Sequence, residues 1–217
     1  NSEKKPIIVN DKIGKNSFIT PIVPKSLIQE ERNKKSLKQN NSKKYIHISK
    51  KSKKSNRTRA LLKIQDGCDF MCSFCVIPFS RGRARSRDLE DLLSEVHRMV
   101  ENGVKEIVLT GVNLGTYFSN GVDFLGLLEK ISQVQNLNRI RISSVEPTTI
   151  PEEIFYWMAD ENHPLMPYLH VPMQSGCNII LKRMKRKYGL EEMAEFFDRV
   201  TSEVPNICLG TDLMVGF

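Results

Sequence analysis

Three cysteines, Cys68, Cys72 and Cys75, fall within eight residues in the pattern Cys-x-x-x-Cys-x-x-Cys. Thiols at that density are first of all candidates for binding metal. A structural zinc ion takes four ligands, commonly as two Cys-x-x-Cys pairs. The other two cysteines, Cys177 and Cys208, lie about a hundred residues further on and far from each other. Three clustered thiolates instead match three corners of an iron–sulfur cubane, whose ordinary ligand set is four cysteines. A missing fourth leaves one iron open to another ligand, as catalytic metal sites require. The blander alternative is three small residues packed in a loop.

Composition narrows the setting. An odd count of five cysteines, three of them clustered, argues against a disulfide framework. The opening Asn1-Ser2-Glu3-Lys4-Lys5-Pro6 lacks the apolar core of a secretory signal. No apolar run approaches the ~20 residues of a membrane span. A reducing cytoplasm, with no membrane partner, is the expected compartment. The first residue is not Met, so a fragment of a longer protein is expected. The net charge of +8 is unevenly placed: Arg32 to Arg59 holds twelve Lys/Arg and no Asp/Glu. The remainder carries 33 − 12 = 21 basic against 25 acidic residues. Such a tract attracts a polyanion such as RNA, or serves as a solvated linker.

The elements that must position the cysteines follow from periodicity. Residues 1–56 are rich in Lys, Asn and Ser and read as a linker or the remnant of an upstream domain; a second regime occupies 57–217. Ala60 to Gln65 is a short apolar strand ending at Asp66-Gly67, and the cysteine loop follows. A helix is predicted after Asp88 as cap, with Leu89, Leu92, Leu93, Val96, Met99 and Val100 on one face and Gly103 as its stop. Glu106–Thr110 is the second strand. Phe124, Leu127, Leu128, Ile131 and Val134 mark the second helix. Arg139–Val145 is the third strand, and Thr149-Ile150-Pro151-Glu152 reads as a capping box opening the third helix. Tyr168–Gln174 is the fourth strand. Helices are predicted over 178–188 and 190–204, and a fifth strand from Leu209. Alternating strands and helices specify an α/β fold with a parallel sheet.

The order of short blocks resembles a known family. Gln65-Asp66-Gly67-Cys68, Ser73-Phe74-Cys75-Val76-Ile77-Pro78 and Arg81-Gly82-Arg83-Ala84-Arg85-Ser86-Arg87 are similar to the radical S-adenosylmethionine (SAM) methylthiotransferases. So are Leu109-Thr110-Gly111-Val112-Asn113, Ser143-Ser144-Val145-Glu146-Pro147, Leu169 to Gly176, Lys182 to Tyr188 and Gly210 to Phe217. The blocks cover most of residues 57–217. The resemblance implies a truncated, parallel partial (β/α)6 TIM-like barrel of the radical SAM type. It implies a [4Fe–4S] cluster on Cys68, Cys72 and Cys75, whose open iron chelates SAM. Reductive cleavage of SAM then gives a 5′-deoxyadenosyl radical. Phe74 takes the position near the adenine, and Gly111, Asn113, Ser144 and Gln174 are the other candidate cofactor contacts.

Gly111-Val112-Asn113-Leu114-Gly115-Thr116-Tyr117 and Leu169 to Tyr188 are most similar to the tRNA branch. That branch adds a methylthio group to C2 of a hypermodified adenosine 37. The threonylcarbamoyladenosine-specific enzymes are the nearest type, ahead of the isopentenyladenosine-specific and the ribosomal-protein-modifying ones. Another radical reaction, such as a methylation, and a non-catalytic iron–sulfur or zinc RNA-binding module are the rival readings. Implied partners are tRNA and an electron donor of flavodoxin or ferredoxin type, with the protein a monomer. The family's second [4Fe–4S] cluster belongs to an upstream domain, and residues 1–67 contain no cysteine. The family's downstream RNA-binding domain is likewise not expected within these residues.

Other residues carry weaker signals. Alternation puts His170 and Gln174 on one strand face, opposite Leu169, Val171 and Met173, and Arg141 and Ser143 opposite Ile140 and Ile142. His170 is equally well read as a hydrogen-bonded structural residue. Pro172 fits a strand end. Thr110-Gly111 follows a strand at the end where such folds bind ligands. Arg81, Arg83, Arg85 and Arg87 are candidates for phosphate contact or for a solvated turn. Cys177, where the family more often has Ser, and Cys208 are expected to be small packing residues.

Overall fold

The structure, a computed structural model, describes residues 58–217. The linker reading of 1–56 lies outside the described residues. Five parallel strands follow one another in chain order: β1 (Arg59–Lys63), β2 (Glu106–Thr110), β3 (Arg139–Ile142), β4 (Tyr168–His170) and β5 (Cys208–Gly210). β1 pairs with β2 and β2 with β3, in registers Leu62↔Leu109 and Leu109↔Ile142. Parallel bridges Ile140↔Leu165 and Ser144↔His170 join β3 to the β4 segment, and β4 pairs with β5.

One face of these strands is the core: Leu62, Ile107, Leu109, Ile140, Ile142 and Leu169 are buried. The other face carries Lys63, Val108, Thr110, Arg141, Ser143 and His170, all partly accessible. The period of two that separates the sets is the strand period.

The helices are α1 (Ile77–Arg81), α2 (Leu89–Glu101), α3 (Phe124–Ser132), α4 (Ile154–Ala159), α5 (Asn178–Arg183) and α6 (Leu190–Glu203). Asp88 caps α2 as expected, accepting from the amides of Glu90 and Asp91 at 3.0 and 3.1 Å. Leu89, Leu92 and Val96 form its buried stripe. After it, Gly103 takes the left-handed φ of 92° that releases the chain into β2.

Three expectations need correction. No capping box forms at Thr149: α4 starts at Ile154 with no side-chain cap. The Thr149 hydroxyl is committed elsewhere, within hydrogen-bond distance of Asn113 Oδ1 at 3.0 Å and of the Glu146 carbonyl at 2.9 Å, between which its one proton is shared. The helix predicted to reach Tyr188 ends at Arg183. There Lys185 adopts φ 58°, its amide bonds to the Lys182 carbonyl, and the Arg186 amide bonds to the Leu181 carbonyl. This pair of bonds is a Schellman closure with Lys at the position that normally favours Gly. Finally, the strand expected to continue to Gln174 stops at His170. Pro172 has no N–H to give to a ladder, and Gln174 rejoins by a single bridge to Leu213 with φ 68°.

Candidate metal and cofactor centre

The cysteine loop leaves the sheet just after β1 and is clasped at its base. Gln65–Asp66 pairs antiparallel with Arg85–Ser86, and the Cys68 amide donates to the Gly82 carbonyl at 3.1 Å. Gly67 sits at φ 71°, and a side chain there would collide with the carbonyls of Gly82 and Arg83. The centre of the clasp is Asp66, whose side chain has no exposure. It accepts from the Gly67 amide at 2.9 Å and faces Lys63, Arg81 and Arg85 at 3.0, 3.3 and 3.2 Å. Burial alone would raise its pKa; Lys63, the Gly67 amide and Arg85 together overcome burial and hold the carboxyl below its ordinary value.

This changes the reading of the arginine strip. Arg81 and Arg85 serve Asp66, Arg83 lies 3.3 Å from Asp69, and Arg87 binds Asp91 at 2.6 Å and also Glu95. All four arginines are therefore ion-paired within the protein, Arg83 through a pair that is itself solvent-exposed.

Cys68, Cys72 and Cys75 are each partly buried. The Phe70 amide donates to Cys68 Sγ at 3.3 Å, and the Cys75 amide to the Cys72 carbonyl at 3.1 Å. Burial raises the Cys68 thiol pKa, and Cys72 and Cys75 add to the rise. A bound cation or cluster relieves that repulsion among thiolates. Among the described residues, no three His, Cys, Asp or Glu side chains converge enough to hold one metal ion. A cubane does not ask for such convergence, because each cysteine binds a different iron. Cys177, preceding α5, and Cys208, in β5, are exposed, which corrects the packing role expected for them.

Sequence reasoning missed a buried network behind Cys72. The Arg186 side chain is 5% exposed. It donates from Nη1 to Cys72 Sγ at 3.4 Å and from Nη2 to both Glu146 oxygens at 2.7 Å. Its Nε reaches the Tyr188 hydroxyl at 3.0 Å, and that hydroxyl donates to the Pro172 carbonyl at 2.7 Å. Burial by itself would lower the Arg186 pKa; Glu146, then Tyr188, more than offset it, so the guanidinium stays charged. The network thus places a permanent cation against one cysteine sulfur. The signal was present in Glu146 and Arg186, but a pair 40 residues apart has no periodicity to read.

The expected cofactor residues fall into three groups. Gln65 Oε1 accepts from the Val112 and Asn113 amides at 2.8 and 2.9 Å, tying the end of β2 to the cysteine loop. Gly111 is needed for that approach, since a side chain would crowd Leu114 and Gln65. Asn113 is 3% exposed, and its Nδ2 has no hydrogen-bond partner. A buried donor without a partner is able to take an acceptor oxygen, and a SAM carboxylate or ribose oxygen has that chemistry. Ser144 Oγ lies 2.8 Å from His170 Nδ1, and His170 Nε2 lies 3.5 Å from Asp212, so the structural reading of His170 is met while Ser144 stays exposed. Phe74 packs edge-on to Phe217, centroids 6.3 Å apart, and Gln174 sits where the β4 and β5 segments rejoin.

A family model described as the radical SAM superfamily matches residues 62–217. The chain belongs to the radical SAM superfamily. Among curated proteins, this radical SAM chain is 42% identical over 166 residues to the threonylcarbamoyladenosine tRNA methylthiotransferase MtaB of Bacillus subtilis, covering 75% of this chain and 37% of that protein. It is 38% identical to the MtaB of Chlamydia pneumoniae, covering 74% and 38%. It is 37% identical to the tRNA-2-methylthio-N(6)-dimethylallyladenosine synthase of Bdellovibrio bacteriovorus, covering 71% and 34%. The chain thus spans between 34% and 38% of these relatives' lengths. Among solved structures, it resembles the radical SAM methyltransferase TsrM of Kitasatospora setae, solved with cobalamin and a [4Fe–4S] cluster bound. That match has a TM-score of 0.55 at 19% identity, covering 70% of this chain and 30% of that one. It also resembles the cobalamin-dependent SAM radical enzyme OxsB at a TM-score of 0.57 and 16% identity, covering 71% and 23%. At these identities the likeness is one of fold.

Proposed function

We propose that this chain is the radical SAM core of a tRNA methylthiotransferase acting on C2 of threonylcarbamoyladenosine 37. Cys68, Cys72 and Cys75 hold a [4Fe–4S] cluster, and the fourth iron is left for SAM. The core is a partial (β/α)6 barrel, to which the five ordered parallel strands contribute, and it begins near residue 57. The observation that carries the proposal is the three-cysteine loop clasped on Asp66, in a chain 42% identical to a threonylcarbamoyladenosine tRNA methylthiotransferase.

Held by Cys68, Cys72 and Cys75, a reduced cluster would supply the one electron for breaking the S–C5′ bond of SAM, giving methionine and a 5′-deoxyadenosyl radical. The protein's own residues do the positioning. Asp66 and its cations hold the loop base rigid, so the three thiolates keep their spacing. Arg186 sets a positive charge beside Cys72 Sγ, offsetting the negative charge that gathers there on reduction. Asn113 offers its unpaired amide N–H to a cofactor oxygen, Phe74 offers a ring to the adenine, and Gly111, Ser144 and Gln174 line the same end of the strands. Residues 1–67 contain no cysteine, so the second cluster expected for sulfur delivery draws its ligands from elsewhere in the protein. Reducing equivalents come from a flavodoxin- or ferredoxin-type donor.

The test is the nucleoside profile of tRNA from cells lacking the full-length protein. Loss of 2-methylthio-threonylcarbamoyladenosine, with its unthiolated precursor accumulating, is the expected result. An unchanged profile would refute the assignment, and loss of the isopentenyl-type nucleoside would move it to the neighbouring branch.

A further inference from the structure

We propose that the turn from Lys182 to Lys187 is a phosphate-contacting surface that receives single-stranded RNA at the edge of the cysteine loop. This rests on the RNA substrate proposed above and names the surface that holds it. Five of these six residues are basic. Their fates differ. Arg186 turns inward to Glu146 and Cys72, whereas Lys182, Arg183, Lys185 and Lys187 are exposed. Among the described residues, none of those four side chains makes an ion pair. With no carboxylate in ion-pair reach, their charges stay available to a polyanion.

Local backbone explains the division. The Schellman closure reverses the chain at Lys185, a residue strained at φ 58° where Gly would not be. Retaining Lys there keeps a fourth free charge on the turn. Ile179, 71% exposed, precedes Lys182 and Arg183 by three and four residues on α5, so an apolar side chain shares their face.

The Ser73 amide donates to the Met184 carbonyl at 3.1 Å, and Ser73 Oγ donates to the Arg183 carbonyl at 2.8 Å. Ser73 lies between Cys72 and Cys75, so the basic turn is hydrogen-bonded directly to the cysteine loop. Met71 in the loop, and Val76 and Phe79 at the start of the following α1, are exposed, the last at 75%. Free cations beside exposed apolar and aromatic groups are the pairing that single-stranded nucleic acid uses, phosphates on the charges and bases on the rings. An open cavity of about 580 Å³ runs along the turn. Lys182 and Lys187 line it together with Glu191 and Glu192. Those two carboxylates accept from Asn178 Nδ2 and the Gly189 amide, at 2.9 and 2.7 Å, and neither forms an ion pair with the lysines.

The experiment uses the full chain, reconstituted anaerobically, and a fluorescent anticodon stem–loop RNA. K182Q, R183Q, K185Q and K187Q are made singly and together. R98Q with K130Q, on the outer faces of α2 and α3, is the comparator for lost charge elsewhere on the surface. Each phosphate that a variant no longer neutralises should reduce the slope of log K against log salt by roughly 0.7. The combined variant should therefore lose roughly 3 from that slope, with iron content unchanged and the comparator near wild type. A wild-type slope in the combined variant would overturn the surface while leaving the tRNA assignment standing. Retained RNA binding with lost affinity for flavodoxin would overturn it in favour of an acidic protein partner. No RNA affinity in the wild-type chain would overturn the surface, while the tRNA assignment is decided separately by the nucleoside profile.

Discussion

Two arginine- and lysine-rich segments of this molecule look alike on paper and behave oppositely. Residues 81–87 hold four arginines, and all four meet carboxylates: Asp66 takes two, Asp69 one, and Asp91 with Glu95 the last. Residues 182–187 hold five basic side chains, and one meets a carboxylate, Arg186 on Glu146. In the first segment Arg81 and Arg85 close the base of the cysteine loop on Asp66, Arg87 ties to α2, and Arg83 lies on the exposed rim. The second is surface, with its single inward member reaching a cysteine sulfur. Basic composition does not by itself distinguish a nucleic-acid contact from a structural clasp. The deciding quantity is whether a carboxylate lies within ion-pair reach, and here those carboxylates come from other elements of the fold.

The largest test of this contrast is Asp66→Asn. Removing the acidic partner leaves three cations around a buried site, and breaking buried pairs costs about 3 kcal/mol or more. Urea unfolding should show that loss, and iron retained after reconstitution should fall with it. Wild-type stability and iron content in this variant would mean the clasp is incidental. The same group gives a pH signature. Its folded pKa lies below the unfolded value of about 3.9, so its contribution is fully present above that pH and is lost as pH falls through the folded value. Unfolding midpoints of wild type and Asp66→Asn should therefore converge below about pH 4; a constant gap would contradict the assignment.

Arg186→Gln comes next. Loss of a charged donor to Cys72 Sγ should lower the cluster's reduction potential and weaken metal retention ~10-fold. An EPR-monitored redox titration reads the first effect, and Arg186→Lys should restore part of it. A potential equal to wild type would confine Arg186 to packing.

Lys185→Gly separates stability from binding. It relieves the left-handed residue and should raise stability by about 1 kcal/mol, while reducing the RNA salt slope by the share of one phosphate. Gain in stability without change in slope would remove Lys185 from the surface. Arg83→Gln should have the smallest effect, within about 0.5 kcal/mol, because its pair with Asp69 is solvent-exposed. A larger loss would show the loop rim is more constrained than its exposure implies.

Much of the frame was legible in the chain. The stripe of Leu89, Leu92 and Val96, the Asp88 cap and the Gly103 stop follow local rules, and the structure obeys them. So do the alternating faces of Ile140, Arg141, Ile142 and Leu169. The failures came where a side chain had a distant alternative. Thr149 gave its hydroxyl to Asn113 instead of capping α4. Asp66 looked like a turn residue and is the buried centre of an ion cluster. Nothing local marks Arg186 as the one member of its basic run that turns inward. Cysteine spacing singled out the candidate metal ligands, while the residues that hold and tune them are visible only in three dimensions.

An open iron at a cluster on Cys68, Cys72 and Cys75 is what would let this site take a cofactor. The most direct measurement is the EPR spectrum of the reduced, reconstituted full chain with and without SAM. A spectrum that changes on adding SAM, in protein holding about four irons per chain, is the predicted result. An identical spectrum in both samples would contradict it, because a cluster with all four irons ligated by protein has no place for the cofactor.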